Sequence, residues 1–415
     1  PKRVISALAS DILKDKKDVT IVATNHPRKG TMVSFNEALA ALLAAGVVPQ
    51  FKPETQPLQT AVSQQTAVAS VPAAVTPQSV VNGRLPLTGS VVISGAGLGL
   101  PGREGAVFSD ENVERLLKGQ MLIEPFSSET RQTMLDKHVT RLVKSEAGAV
   151  LQVLDDLDQT VKLAGQRGQF DLSTDFGLPA ERVDVYDIST QLAIAAGIEA
   201  LRDAGIPLVM RYRQTSKGGF LPDRWMLPPA LADETGVIFA SALPGLDRMA
   251  EESEKYHRYD TLKKQMDELR QVQALVPAGQ NDLLAALERR IQELESSLAG
   301  LNYSFDRRYV FRVLTMGHSQ FAEYIGARGP NGHVNAACAS TTHAVGLAED
   351  WIRAGRCRRV VIVAGDDVTS GSLPGWIGTS LMASGAATVE GDLRLAALPF
   401  DRRRNGMIMG MGAAA

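Results

Sequence analysis

The residues of this chain with the strongest claim to chemistry lie in Asn335-Ala336-Ala337-Cys338-Ala339-Ser340, followed by Thr341-Thr342-His343-Ala344. A cysteine among small residues, at a strand end and directly before a helical pattern, has specific properties. A helix N-terminus favours negative charge, so it raises the thiolate fraction of a thiol placed there. Small neighbours leave room for a thioester and for the carbanion that attacks it. A thiolate also suits thioester exchange, because the acyl-cysteine it forms stays reactive. The competing reading is a small buried apolar residue, a common role for a free cysteine. His333 and His343 flank Cys338 and are weighed as its base, but His343 falls within the following helix, where nothing directs it to the thiol.

Other chemistry-bearing patterns weigh less. Gly95-x-Gly97-x-Gly99 invites a dinucleotide reading, yet Pro101 and the spacing block a helix beginning there. Gly317-His318-Ser319-Gln320 is followed by Phe321 where a nucleophile elbow needs Gly, so a helical stretch is expected. Asp366-Asp367 has no second ligand cluster and reads as a capped strand end rather than a metal site. Cys357, between Arg356 and Arg358 in an expected loop, is read as incidental, and His257 and His318 as surface or packing residues. No cofactor or metal is expected to bind directly.

The elements that must position Cys338 follow from apolar periodicity. Val91-Val92-Ile93 reads as a buried strand with a glycine turn after it, and 110–118 and 128–144 as helical. Thr190 to Ala204 is expected to be a helix stopped by Gly205, and Val237 to Ala240 a buried strand. Asn335 to Cys338 ends another strand, Thr341 to Ala354 is a helix with Gly355 after it, and Val360 to Gly365 is a fully apolar strand of the kind covered on both faces. Between these, residues 250–302 change character. Tyr259, Leu262, Met266, Leu269 and Val276 keep three-and-four spacing, which resumes after Pro277-Ala278-Gly279 at Leu284, Leu287, Ile291, Leu294, Leu298 and Leu301. Two heptad segments around a turn predict an antiparallel helical hairpin.

The N-terminal part is organised differently. Residues 1–51 read as helix, strand, helix, too short for a core of their own. Residues 52–87 are rich in Ala, Val, Thr, Gln, Ser and Pro, without charge between Glu54 and Arg84, and read as a linker. With 415 residues, two to three domains are expected. A net charge of -2 gives no reason to expect nucleic acid or an anionic membrane as partner. No apolar run reaches the roughly 18 residues of a spanning helix. Pro1-Lys2-Arg3 does not open a signal peptide or look like a natural start, and two cysteines make no disulfide framework, so a cytoplasmic location is expected.

Taken in order, these segments resemble the ketosynthase (condensing-enzyme) family of type I polyketide and fatty-acid synthases. Asn335 to Ser340 is similar to the family's Asp-Thr-Ala-Cys-Ser-Ser-Ser-like signature, and Tyr324 to Pro330 to its Leu-Gly-x-x-Gly-Pro approach. Val92 to Gly102 resembles its opening strand and glycine turn, Gln191 to Ile206 its helix, and Pro399-Phe400-Asp401 through Gly412 its Pro-Phe-Asp segment ending in Gly-Glu-Gly. Residues 1–51 resemble the closing stretch of an acyltransferase domain. Met411 stands where the family has Glu, Asp366-Asp367 where small residues are usual, and 250–302 looks like an insertion.

The resemblance implies an α/β, thiolase-like fold (its N-terminal half) with a parallel-dominated sheet and an inserted antiparallel helical hairpin. The expected organisation is an acyltransferase tail at 1–51, a linker at 52–87 and a ketosynthase region at 88–415, with a coiled-coil-like insertion at 250–302. It implies Cys338 as the catalytic nucleophile, taking an acyl group from the phosphopantetheine of an acyl carrier protein before decarboxylative condensation with a malonyl-type extender. A homodimer and neighbouring synthase domains are the implied partners. Two catalytic histidines and a glycine-rich oxyanion segment implied by the family are not in this sequence, and none of the six histidines sits in a matching motif. The alternative is a non-catalytic ketosynthase-like dimerisation or scaffold module.

Overall fold

The structure, a computed structural model, describes residues 89–145, 148–314 and 316–415, all within the second of the chain's two compact units, Val75–Ala415. The expected acyltransferase tail at 1–51 and linker at 52–87 lie outside the described residues. The strands, in chain order, are β1 (Leu98–Gly99), β2 (Glu124–Pro125), β3 (Thr140–Ser145), β4 (Gly148–Val153), β5 (Leu163–Gly165), β6 (Val209–Gln214), β7 (Phe220–Met226), β8 (Thr235–Ala240), β9 (Asn331–Val334), β10 (Arg359–Asp367) and β11 (Met409–Ala414). One sheet runs β2-β5-β11-β10-β8-β9, with β1 added on β11, while β3-β4 and β6-β7 are separate antiparallel hairpins. The sheet is mixed rather than parallel-dominated. β8 pairs in parallel with β9 and β10, and β5 with β11, but β11 runs antiparallel to β10 and to β1, and β2 antiparallel to β5.

The centre of the sheet is apolar on both faces because helices cover both. Every residue of β8 is buried. The main helices are α1 (Asn112–Leu117), α2 (Ser128–Leu135), α3 (Ile188–Asp203), α4 (Leu246–Leu275), α5 (Asn281–Leu301), α6 (Tyr309–Val313), α7 (Gly317–Ile325) and α8 (Ser340–Arg353). On one face α3 and α7 contribute Ile194, Ile198, Phe321 and Ile325 to a core with Val237, Phe239 and Val363. On the other, α8 sets Ala344 and Ala348 against Ile238, Ala240, Val334 and Ala364. Small residues let these layers close. A methyl group added at Gly365 would lie 2.9 Å from both the Leu192 Cβ and the Ser189 carbonyl oxygen, so the strand admits only hydrogen there.

Several expectations shift at their edges. Val91-Val92-Ile93 is not a buried strand: Val92 and Ile93 are 76% and 86% exposed, and pairing starts only at Leu98. The β-branched run has no strand beside it among the described residues. Instead Gly95 and Gly97 lie against α3, where an added Cβ would meet the Ala200 and Ala196 carbonyl oxygens at 2.4 and 2.2 Å, while Gly99 packs on Ala413, Val107 and Phe108. The first two glycines of the triplet thus serve helix packing. The helix expected at 128–144 stops at Leu135; His138 takes a φ of 53° and the chain enters β3. Gly317-His318-Ser319-Gln320 does open a helix, α7. Met411, in place of the family's Glu, is buried in an apolar cluster with Val107, Ile188, Leu192 and Ala196.

α4 and α5 form the antiparallel hairpin, with the turn at Gly279 (φ 95°). Its seam closes on itself: Ile291 and Leu294 are buried, Arg270 pairs with Glu295 at 2.5 Å, and Tyr303 donates to Glu252 at 3.0 Å. The hairpin is tied to the α/β body by a reciprocal exchange of carboxylates. Asp187, the N-cap of α3, accepts from the Gly245 N–H at 3.0 Å, and Asp247, in the first turn of α4, accepts from the Ile188 N–H at 3.1 Å. Each helix start thus receives an acid from the other's side, where free N–H groups favour it.

Burial pushes both carboxyls above the ordinary range, and Asp247 adds repulsion to Asp187. A carboxyl raised on folding contributes stability that is fully present below its unfolded pKa and is lost as pH rises through the folded value. Asp187→Asn is therefore expected to gain stability relative to the parent chain as pH rises from 4 to 7 in urea titrations. A relative loss over that interval would show that the anion is the favoured form.

Candidate active site

Strand β9 ends at Val334, and Asn335 to Ala339 make the turn that delivers Cys338 to the start of α8. The turn is tight: Ala337 has a φ of 51°, a left-handed conformation that a non-glycine residue adopts only when its surroundings hold it there. Two polar side chains supply that hold. The Asn335 Oδ1 accepts from the Ala337 N–H at 3.1 Å, while its Nδ2 donates to the Ala242 carbonyl at 3.0 Å. Ser340 Oγ, buried in the first turn of α8, accepts from the Ala336 N–H at 2.9 Å and donates to the Ala337 carbonyl at 2.6 Å. The N–H groups of Ala339 and Ser340 bond back to the carbonyls of Ala336 and Ala337. Among the described residues the Cys338 N–H has no hydrogen-bond partner, and the cysteine is exposed.

The Ala242 anchor is itself held by Asp366. This carboxylate, near the C-terminal end of β10, receives Ser241 Oγ at 2.7 Å, Ser189 Oγ at 3.3 Å, and the N–H groups of Ala242 and Leu243 at 2.9 and 3.1 Å. Four donors converge on one anion, and three of them belong to the loop after β8. That loop presents the Ser241 and Ala242 carbonyls to His333 and Asn335. The neighbouring Asp367 turns the other way. It accepts from the Thr369 N–H and hydroxyl and from the Ser370 hydroxyl, and Arg167 lies 3.5 Å away. The pair is thus a capped strand end, and no cluster able to hold a metal occurs among the described residues.

The two flanking histidines differ. His343 is exposed on α8. His333, half-buried on β9 beside the Phe239 ring, has its Nε2 3.2 Å from the Ser241 carbonyl. A carbonyl only accepts, so Nε2 carries the hydrogen. Burial pushes this imidazole below the ordinary 6.5, with the Ser241 bond and the Asp366 charge opposing. The second cysteine, Cys357, is buried.

Residue type and spacing single out Cys338, and Ser340 lies in the same recognised segment. The part Asp366 plays in fixing the turn carries no motif signal. What marks it is spatial: a carboxylate at a strand end whose partners include backbone groups of another loop.

Residues 309–415 match the family model "Beta-ketoacyl synthase, N-terminal domain". This matched stretch holds the Cys338 turn, β10 and β11, and is similar to that domain. The expected α/β class is present as a mixed sheet with helices on both faces. Among solved structures, the chain is similar to a beta-ketoacyl synthase from Burkholderia phymatum, at 17% identity over 78% of this chain and 57% of that one, with a TM-score of 0.43. It is also similar to a type II PKS acyl-carrier protein in complex with its ketosynthase bound to the hexaketide, at 17% identity over 78% of this chain and 56% of that one, TM-score 0.44. The chain thus spans just over half the length of either. No curated protein matches it. No helix among the described residues is long and apolar enough to cross a membrane.

Two measurements test this geometry. Asp366→Ala removes an anion with four donors, so a loss of about 2–4 kcal/mol in unfolding free energy and slower thiol modification of Cys338 are expected. Unchanged stability and reactivity would show that the loop holds its shape without the carboxylate. For His333, an NMR titration should find the Nε2–H tautomer and a midpoint below 6.5. A histidine lowered on folding contributes stability present above its unfolded pKa and lost as pH falls through the folded value. A midpoint above 6.5 would contradict its burial.

Proposed function

We propose that this chain forms part of a condensing enzyme in which Cys338 is the acyl-carrying nucleophile. The observation that supports it most directly is the Cys338 turn: a thiol at a strand-to-helix junction, exposed, after a residue held at positive φ, with its own N–H unengaged among the described residues. In the loading step the Cys338 thiolate attacks the carbonyl carbon of an acyl thioester on the phosphopantetheine arm of an acyl carrier protein. The Cys338 N–H stands available to the oxyanion that develops. The carbon–sulfur bond to pantetheine breaks, the pantetheine thiol takes a proton, and acyl-Cys338 remains.

In the condensation that follows, loss of carbon dioxide from a malonyl-type extender leaves a carbanion. It forms a carbon–carbon bond to the acyl carbonyl and expels the Cys338 thiolate. The setting is a multidomain fatty-acid or polyketide synthase, with an acyltransferase tail at 1–51, a linker at 52–87 and the ketosynthase region at 88–415. A homodimer belongs to the same reading: β9 pairs only with β8 among the described residues, so its other edge leaves ladder groups open to a second copy.

The test is acyl loading. Incubation with an acyl-pantetheine thioester, followed by peptide mapping, should place the acyl group on Cys338, and Cys338→Ala should remove it. Acyl groups found elsewhere, or none on a folded chain, would overturn the enzyme reading in favour of a non-catalytic scaffold module.

A further inference from the structure

The β6–β7 hairpin has no part in condensation. It leaves the α/β body after α3 and pairs with no other strand among the described residues. Its root is held by Arg224, which pairs with Glu323 on α7, and by the Leu227 N–H, which donates to the Ile325 carbonyl at 2.7 Å. Beyond the root the ribbon stands open, and every residue of β6 except Met210 is exposed. Two strands alone are marginal in water, whereas three with an apolar face make a stable unit.

The register sorts the side chains. Cross-strand partners share a face, so Met210 and Trp225 lie on one face together with Tyr212, Gln214 and Phe220, and the three aromatic rings are exposed there. Arg211 and Arg213 lie on the other face. Arg213 and Lys217, in the distal half, are exposed and have no carboxylate partner among the described residues. The acids nearest the ribbon, Asp223 and Glu323, sit at the root beside Arg224.

The two edges differ. Further pairing on β7 is blocked by Pro222, which has no N–H, and by the extra residue at Asp223, where the register shifts. β6 has neither. The Thr215 N–H closes the turn on the Gly219 carbonyl at 2.8 Å, so the next pair, Gln214 and Phe220, is of the kind whose N–H and C=O groups point away from the partner strand. We propose that β6 receives a third strand, an extended peptide segment in which apolar and acidic residues alternate. Its apolar residues lie beside Met210 and Tyr212, its acids beside Arg211 and Arg213, and its main chain bonds the open edge. A second copy of β6 is disfavoured, because antiparallel self-pairing sets the arginine row against itself. The inference uses none of the residues of the Cys338 turn and stands apart from that reading.

The test is fluorescence anisotropy of a blocked, fluorescein-labelled peptide of repeated Glu-Val, added to the 415-residue chain, beside a peptide of the same composition with its Glu and Val in separate blocks. Saturable binding is expected, at least fivefold tighter for the alternating peptide. Gln214→Pro, which removes an outward N–H from an edge strand, and Arg213→Glu should each weaken it at least fivefold, with the circular dichroism and melting curve of the parent chain retained. A repeated Lys-Val peptide should bind Arg213→Glu more tightly than it binds the parent. No saturable binding, equal affinity for the two Glu-Val peptides, or unchanged affinity in Gln214→Pro would overturn the proposal. A dimer in sedimentation that Gln214→Pro abolishes would overturn it in favour of a second copy. A thymidine oligonucleotide that binds more tightly than the alternating peptide would overturn it in favour of nucleic acid.

Discussion

The carboxylate of Asp366 is the interaction on which the site depends. An anion taken partly out of water has to be surrounded by donors, and here the donors are two serine hydroxyls and two backbone N–H groups from different elements. Satisfying that one charge fixes the loop after β8 relative to β10 and to the start of α3. The loop's carbonyls then have defined positions, and His333 and Asn335 take their orientation from them. The left-handed Ala337 and the direction of Cys338 follow. A cysteine on an exposed turn would otherwise sample many orientations; this one is set by a chain of hydrogen bonds beginning at a neighbouring strand.

How much of this was legible in the residues varies with the range of the interaction. The buried strands at Val237 and Val360, the helix stopped by Gly205 and the hairpin turn at Pro277 to Gly279 all announce themselves locally, because apolar period and stop residues act within a few positions. The failures have equally local causes. Val91-Val92-Ile93 has strand composition but no strand to pair with among the described residues, and strand formation is a property of two segments, not one. The extended helix at 128–144 fails because His138 takes a conformation that ends it and β4 offers a partner beyond. The direction of β11 depends on how the chain returns after α8 and β10, which periodicity does not encode.

The site shows the same division. Cys338 stands out by residue type and by its place between a strand and a helix. Asp366 does not, since a pair of aspartates after an apolar strand looks the same whether it caps a turn, binds a metal or faces solvent. Only the fold, by bringing residues 189, 241 and 366 together across long stretches of chain, gives one aspartate to the β8 loop and the other to the Thr369-Ser370 turn. Asn335 occupies an intermediate position: it lies inside the recognisable segment, but its bond to Ala242 spans more than ninety residues.

The hairpin has a mechanical aspect that follows from its length and its anchoring. Thirty residues of α4 rise about 45 Å. The element is thus a lever whose short end is clamped at Gly245 and Asp247 by the start of α3. A pivot of about 5° at the clamp sweeps the far tip by about 4 Å over that rise. The same ratio run backwards means that a force on the tip arrives at the clamp multiplied. The clamp adjoins Leu243 and Ala242 in the chain, so the reciprocal aspartates bear that load next to the loop that orients the Cys338 turn.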